Sequence, residues 1–354
     1  MFSSRVPGEL DPNRLARAVR RLRAAGVPLL DLTVTNPTSV GIGYPPSILS
    51  SLADPAALRY EPAPLGRPEA RAAIARDYER HGTKVAPDRI VLTASTSEAY
   101  SVLFKLLCGP DWDAVMLPVP SYPLFDHLTR LDGVRSIPYR LEYQGRWEVD
   151  LDTLDAGWTD TVRAALVVDE VFVDYPLSPR QTSSASRPPC LTFRLGGLSK
   201  SAGLPQVKLG WIVVEGPDAL VQEALERLEL ICDTYLSVST PVQVAAPALI
   251  AAGATVRAAI LARVRGNDDA LRTLAAGYPS IQVLPSEAGW SAVLRVPSTR
   301  SEEDLVLELL GDGVLVHPGF FFDFAHESFL VVSLLPETTV FTDGVRRVME
   351  RAHA

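Results

Sequence analysis

The stretch Leu195-Gly-Gly-Leu-Ser-Lys-Ser-Ala-Gly-Leu-Pro-Gln-Val-Lys-Leu-Gly-Trp211 places Lys200 among small and apolar neighbours, with a second cation, Lys208, eight residues later. A lysine amine attacks carbonyl groups only when it is neutral, and apolar surroundings lower its pKa because they remove water. Gly196, Gly197 and Gly203 let the backbone approach a ligand closely, and Lys208 could neutralise a bound phosphate. The alternative is an ordinary surface lysine in a glycine-rich loop, and these residues alone favour neither interpretation.

The order Ser-Lys-x-x-x-x-Pro-x-x-(Arg/Lys)-x-Gly in this stretch resembles the lysine loop of fold-type I pyridoxal-phosphate enzymes, the class I and II aminotransferases. The resemblance implies that pyridoxal 5'-phosphate is the cofactor and that Lys200 holds it covalently. It also implies that Lys208 binds the cofactor phosphate. The family usually has arginine at that place, so a two-pronged contact becomes a point-charge contact.

Length and composition limit the other function classes. The chain has 354 residues, 47% of them hydrophobic, which predicts a large core and about two domains. A net charge of −8 without a basic block argues against a nucleic-acid partner. Three cysteines without a C-x-x-C pair argue against a metal site or disulfides and fit the reducing cytoplasm. No apolar run of transmembrane length and no signal peptide are recognised, so we expect no membrane partner.

A strand-to-helix turn carries small hydroxylated residues in Ala94-Ser-Thr-Ser-Glu-Ala-Tyr100. Free backbone N–H groups and hydroxyls at a helix N-terminus suit a phosphate. Simple capping by Ser95 or Ser97, with Glu98 in the first turn, is the alternative. The resemblance assigns Ser95, Thr96 and Ser97 to the phosphate.

The segment Leu166-Val-Val-Asp-Glu-Val-Phe-Val-Asp174 is an apolar run that ends in carboxylates. It predicts a parallel-sheet strand that is buried on both faces, with an acid at the edge where ligands bind. The resemblance implies that Asp169, rather than Glu170, pairs with the protonated pyridine nitrogen of the cofactor. That pair keeps the ring an electron sink.

Two aromatic residues receive their roles from the resemblance. In the family, the aromatic residue at the place of Tyr122 stacks on the pyridine ring; a core tyrosine held between Pro120 and Pro123 is the alternative. Tyr60 corresponds to a residue that touches the phosphate of the neighbouring subunit. The resemblance therefore implies an obligate homodimer, whereas Tyr60 is otherwise a plain loop residue.

Three further residues are candidates for the substrate side. Asn36, before Pro37, matches a family segment that lines the active site, although a plain turn is the alternative. Trp290 is a candidate for the wall of the substrate pocket. Arg295 is the nearest basic residue that could replace the arginine of the family that binds the substrate carboxylate.

The chain departs from the family in its middle and at single positions. The usual Asn-Pro-x-x-Pro-Thr-Gly loop is absent, and residues 163–168 run straight into Asp169, as if one strand–loop–helix crossover were lost. Phe172 replaces a tyrosine, and Val332 stands where the carboxylate-binding arginine is expected. Without that Asn and Tyr, we expect a raised pKa of the lysine–cofactor linkage and weaker orientation of the ring.

The lost crossover leaves a sheet that must re-pair or expose its edges. Three explanations stay open at this point: a natural minimal variant, a non-catalytic relative, or a deletion in the recorded sequence. We expect an α/β three-layer sandwich with a mostly parallel sheet, plus a small α+β domain from both chain ends. The expected boundaries are 1–40 for the N-terminal part of the small domain, 41–255 for the large domain, and 256–354 for the C-terminal part.

The resemblance implies a biosynthetic aminotransferase that moves an amino group between an amino acid and a 2-oxo acid. Lys200 would then carry the proton as base and acid. A carbon–sulfur lyase of the same fold and a non-catalytic binding protein are the alternatives. Release of a 2-oxo acid from a thioether substrate without an amino acceptor would favour the lyase.

Overall fold

The computed structural model describes residues 3–109, 113–162, 165–178, 188–324, 326 and 328–354. Its strands are β1 Leu30–Asp31, β2 Ile90–Thr93, β3 Ala114–Val119, β4 Arg135–Tyr143, β5 Trp147–Val149, β6 Leu166–Asp169, β7 Thr192–Gly197, β8 Gly210–Glu215, β9 Gln282–Leu284, β10 Ser291–Arg295, β11 Val314–Leu315, β12 His317–Pro318 and β13 Phe329–Ser333. Its α-helices are α1 Arg14–Ala24, α2 Pro68–Tyr78, α3 Thr96–Leu107, α4 Phe125–Asp132, α5 Leu151–Gly157, α6 Leu198–Ser201, α7 Asp218–Tyr235, α8 Thr240–Ala275, α9 Glu302–Gly311 and α10 Thr338–His353.

A four-stranded sheet in the order β2-β8-β7-β6 forms the centre of the large domain. β6 and β7 are parallel, and β8 is antiparallel to both β7 and β2, so β8 alone is reversed in this sheet. The register pairs Gly210, at the start of β8, with the last residues of β2 and β7, Thr93 and Gly197. The ends of β2, β6 and β7 therefore lie at one edge of the sheet, which is where ligands bind in α/β folds.

A second sheet, β3-β4-β5, holds the remaining strands of the large domain. Among the described residues, one parallel bridge from Ala114 to Val162 is the only pairing outside the named strands on this side. The expectation that this apolar strand is buried on both faces is wrong for β6. Leu166 is 50% exposed, because β6 pairs with β7 on one side and lies at the edge of its described sheet. Residues 163 and 164, at the junction, lie outside the described part of the chain.

The small domain uses both ends of the chain, as expected. β1 pairs in parallel with β11, Leu30 opposite Val314, and Arg14 of α1 forms a 2.7 Å ion pair with Glu303 of α9. The antiparallel sheet β12-β13-β10-β9 completes this domain. The boundary expected at 255/256 falls inside the 36-residue helix α8, so one helix continues through it; the numerical boundaries stay a prediction.

Helix α8 is long and apolar enough to cross a membrane by length and composition, with a mean hydropathy of 1.8 over its best 18-residue window. Its buried side chains, among them Leu249, Val256, Ile260 and Val264, belong to the main apolar core. A second core cluster lies between the central sheet and helices α3 and α7. Both faces of the β7–β8 pair are thus covered, which fixes the strand ends that carry the site.

Candidate active site

Lys200 lies on the one-turn helix α6, directly after β7. Its Nζ atom is 4.7 Å from the ring centroid of Trp290 and 5.5 Å from that of Phe172. Burial lowers the pKa of Lys200, and the negative charge of Asp169 opposes that shift. The amine therefore has the partly dehydrated surroundings that a lysine nucleophile needs.

Asp169 ends β6, one strand away from the lysine, with Leu195 as its register partner. One oxygen, Oδ2, accepts a 3.1 Å hydrogen bond from the Tyr100 hydroxyl, and Oδ1 accepts one of 3.1 Å from the Val171 amide. Burial raises the pKa of Asp169, while these hydrogen bonds and the charge of Lys200 oppose the shift. Asp169 is exposed to solvent, although enough protein surrounds its carboxylate to raise the pKa.

Tyr122 lies in the loop after β3 and is 57% exposed. Its ring makes an edge contact with Phe125 at 6.1 Å, and Phe125 makes another with Tyr100 at 5.0 Å. Burial and the charge of Asp169 raise the pKa of Tyr122. Tyr122 is therefore not the core tyrosine of the alternative interpretation, and it is close enough to Asp169 to interact with its charge. It also lines an open surface depression beside β3 and β4, and neither Lys200 nor Asp169 is among the described residues that line it.

The phosphate candidates lie at the same edge of the sheet. Ser95 caps α3, because its Oγ accepts a 3.1 Å hydrogen bond from the Glu98 amide, so the capping alternative is realised at Ser95. The backbone N–H groups of Thr96 and Ser97 lie in the first turn of α3, where no carbonyl of the same helix can accept a hydrogen bond from them. A Cβ at Gly210 would lie 3.1 Å from the Thr96 nitrogen, so this close approach of β8 to the turn requires glycine.

Lys208 precedes Gly210 by two residues and has a φ of 59°. It is exposed, and the described part of the chain offers it no hydrogen bond or ion pair. Its ammonium group is thus available to an anion.

Trp290 is 2% exposed and directly contacts Lys200. Arg295 is five residues further along, about 16 Å at the usual strand rise. Alternation places Arg295 on the opposite face of β10, where it is exposed while Ala292 and Leu294 are buried. The structure therefore does not bring Arg295 to Lys200.

Asn36 and Tyr60 are also not brought to Lys200 by any described contact. The Asn36 side-chain oxygen accepts hydrogen bonds from the Thr38 amide at 3.0 Å and the Thr38 hydroxyl at 2.7 Å, which caps a short 3-10 helix. This is the plain turn of the alternative. Tyr60 is 68% exposed in its loop.

Sequence reasoning gave no role to three residues that hold the lysine turn or its acid. Tyr175 donates a 2.5 Å hydrogen bond to the Lys200 carbonyl, and Arg257 donates one of 3.0 Å to the Ser201 carbonyl. Tyr100 donates to Asp169. Tyr175 follows the carboxylate-ended strand in sequence, which was an available signal; Arg257 lies within a long helix pattern that gave none.

Comparison with known proteins identifies the family. The family described as "Aminotransferase class I and II" matches residues 51–164 and 158–342. The chain belongs to this family. The two matched pieces meet at residues 158–164, which is where the sequence lacks the Asn-Pro-x-x-Pro-Thr-Gly unit.

Individual relatives agree with the family. The chain is 23% identical to glutamate-pyruvate aminotransferase AlaA of Haemophilus influenzae, over 89% of this chain and 88% of the relative. It is 24% identical to alanine aminotransferase of Mycobacterium bovis, over 93% and 86%. An aminotransferase structure from Escherichia coli superposes with a TM-score of 0.84 at 20% identity, over 99% and 97%. The alanine aminotransferase structure from Pyrococcus furiosus superposes with a TM-score of 0.82 at 20% identity, over 99% of both chains; these likenesses establish the fold.

This aminotransferase moves an amino group between an amino acid and a 2-oxo acid, with pyridoxal 5'-phosphate as its cofactor. The residues present fit that cofactor on the evidence of their placement. A buried amine, an acid that interacts with it, an aromatic ring beside the acid and a glycine-bordered helix N-terminus share one sheet edge. The side chain of Phe172 offers no hydrogen-bond donor to a phenolic oxygen.

Proposed function

We propose that Lys200 holds the cofactor and transfers the proton of the amino-group transfer. The observation that supports this role most directly is the electrostatic interaction of Lys200 with Asp169 from neighbouring strand ends. A lysine with a lowered pKa that interacts with a specific acid, at the ligand-binding edge of an α/β sheet, is the expected signature of a catalytic amine.

The bound cofactor supplies an electron sink that lets a proton leave the α-carbon of the amino acid. Asp169 holds a proton at the ring nitrogen, since a carboxylate there stabilises the positive charge. Tyr122 would stack on the ring. The Lys200 amine would accept at Nζ the proton that leaves the α-carbon of the amino acid, and would give it back after the amino group has moved.

The phosphate is held by the turn that begins α3 and by a cation beside it. We assign this role to Ser95, Thr96, Ser97 and Lys208. The support is the position of Gly210, which borders the Thr96 nitrogen in the same register that joins β2 to β8. A helix N-terminus together with a lysine provides amide donors and a charge for a dianion.

For the substrate we propose alanine with pyruvate as its 2-oxo acid, because relatives named for glutamate-pyruvate, alanine and valine–pyruvate transfer match this chain. Trp290 forms the wall next to Lys200. Arg295 is left out of this proposal because it lies on the far face of its strand, and Asn36 has no described contact that links it to the lysine.

We also propose a cytoplasmic homodimer with a role in amino-acid biosynthesis. Leu58 and Tyr60 are large, exposed side chains two residues apart, and such apolar surface is typical of interaction sites. Tyr60 would reach the phosphate of the partner subunit. Three cysteines without disulfides fit a reducing compartment. Sedimentation of the intact chain, compared with Tyr60→Ala, tests the dimer.

The activity test measures 2-oxo acid formation from alanine with 2-oxoglutarate as acceptor. Lys200→Ala should abolish turnover and the visible absorbance of the cofactor, whereas Lys84→Ala, an exposed lysine, should leave both unchanged. Release of a 2-oxo acid from a thioether amino acid without an acceptor would instead support a lyase. A folded chain that binds no cofactor would contradict both the aminotransferase and the lyase activity.

A further inference from the structure

The turn that carries Lys200 is held by side chains from other segments of the chain. Helix α6 has four residues, and the Lys200 carbonyl at its end accepts a 3.1 Å hydrogen bond from the Gly203 amide just beyond it. The Tyr175 hydroxyl donates to the Lys200 carbonyl at 2.5 Å, and Arg257 Nη1 donates to the Ser201 carbonyl at 3.0 Å. An isolated turn of this length is only marginally stable, so these two side-chain donors add to the few backbone hydrogen bonds that it makes.

Tyr175 holds the lysine at two places. It is fully buried, and burial raises the pKa of its hydroxyl, so the hydroxyl stays protonated and donates. Its ring makes an edge contact with Trp290 at 5.1 Å, and Trp290 lies 4.7 Å from Lys200 Nζ. The backbone of Lys200 and its amine are therefore both tied to Tyr175, one directly and one through Trp290.

Tyr175 also belongs to the loop that positions Asp169. Within residues 169–175, the Val171 amide donates to the Asp169 carboxylate at 3.1 Å, and the Val173 amide donates to the Glu170 carbonyl at 2.9 Å. The Tyr175 amide then donates to the Phe172 carbonyl at 2.9 Å. This chain of bonds makes the loop a short, ordered connection between the acid and the residue that holds the lysine.

Arg257 is fixed from behind by a buried carboxylate. Asp174 Oδ2 lies 3.9 Å from Arg257 Nη1, and Asp174 Oδ1 receives Arg80 Nη1 at 2.8 Å and His81 Nε2 at 3.0 Å. Because Asp174 is the neighbour of Tyr175 in the same loop, both donors to the lysine turn are anchored to residues 169–175.

We propose that Tyr175 and Arg257 are positioning residues that set the place of the Lys200 amine relative to Asp169. They touch the backbone of the lysine turn and not the reacting atoms. The inference rests on the proposed role of Lys200, but its test reads the amine itself and does not need turnover. If the turn is looser, the amine can leave the face of Trp290 and reach water. The pKa of Lys200, which burial lowers, should then rise.

The test measures the pH profile of the chemical labelling rate of Lys200 by mass spectrometry, on the full chain without added cofactor. Tyr175→Phe should move the profile of Lys200 to higher pH, towards that of an ordinary lysine. It should also slow capture of added pyridoxal 5'-phosphate roughly tenfold, since misplacement of a reacting group by about 1 Å is that costly or more. Arg257→Lys, which keeps the charge that faces Asp174, should change the profile in the same direction.

The matched control is Tyr44→Phe. Its hydroxyl donates to the Gly203 carbonyl at 2.7 Å, so the variant loses a similar bond three residues beyond the lysine. It should leave the Lys200 profile unchanged. Unchanged profiles in folded Tyr175→Phe and Arg257→Lys would overturn the proposal, as would an equal change in Tyr44→Phe. If Tyr175→Phe does not fold, the profile of Arg257→Lys alone decides. A shifted profile in a protein without transaminase activity would leave the positioning role in place and refute the proposed function.

Discussion

Asp174 should make a pH-dependent contribution to the stability of the fold, and its size follows from the structure. Its side chain is 3% exposed and faces Arg80, His81 and Arg257. Burial alone would raise the pKa of this carboxyl, but the hydrogen bonds from His81 and Arg80 and the charges of Arg80 and Arg257 lower it from 3.8 to about 2. The difference corresponds to about 2 kcal/mol of folding stability above pH 5.

The sign follows from the direction of this shift. A carboxyl whose pKa is lower in the folded state stabilises the protein above its unfolded pKa, and the contribution is lost as the pH falls from about 4 to about 2. Asp174→Asn keeps the size of the side chain and removes its charge. We expect the variant to lose about 2–4 kcal/mol at pH 5, because it also leaves partly buried arginines less well compensated.

The assay is equilibrium urea unfolding of both proteins at pH 5 and at pH 3. The difference in unfolding free energy between wild type and Asp174→Asn should shrink by about 1 kcal/mol from pH 5 to pH 3. Asp269→Asn, an exposed position on α8, should show a small difference that does not change with pH. An equal difference for Asp174→Asn at both pH values would refute the reasoning.

Three further outcomes are expected. Trp290→Ala should lower the free energy of unfolding by about 3–5 kcal/mol, because the ring is buried against Phe172 and Tyr175. Trp290→Phe should lower it by less. Equal losses for the two variants in urea unfolding would contradict this. Backbone amides of β3, β4 and β5 should exchange hydrogen faster than those of β7 and β8, since the described strands of the two sheets do not pair with each other. Equal protection would contradict the split sheet. Lys208→Ala should weaken binding of pyridoxal 5'-phosphate about tenfold in a fluorescence titration, because one charge-assisted contact is worth about 1.5–3 kcal/mol. Lys208→Arg should bind as the wild type does. Equal affinities of Lys208→Ala and the wild type would exclude the phosphate contact.

The parts of the site that could be predicted are those encoded locally. Lys200 and Asp169 directly follow apolar strands, and a polar residue after a buried strand must lie at the edge of the sheet. The contacts that hold them could not be read in the same way. Tyr175 and Arg257 reach the lysine turn from 25 and 56 positions away in sequence, and such contacts depend on how α8 and the loop after β6 pack. The placement of Arg295 away from Lys200 could not be read from the sequence either, because the face of a strand and the distance along it depend on register.

The absence of the Asn-Pro-x-x-Pro-Thr-Gly unit affects the protein that surrounds the candidate site more than the placement of Asp169 itself. Asp169 owes its position to the pairing of β6 with β7 and to bonds from Tyr100 and Val171, and none of these comes from the missing unit. The other edge of β6 has no strand partner among the described residues, and Leu166 there is half exposed. A parallel strand buried on both faces normally gains its stability from such cover. The chain therefore keeps Lys200 and Asp169, the amine and acid that we propose for amino-group transfer, on neighbouring strand ends, while the expected cost is a weaker connection between its two half-sheets.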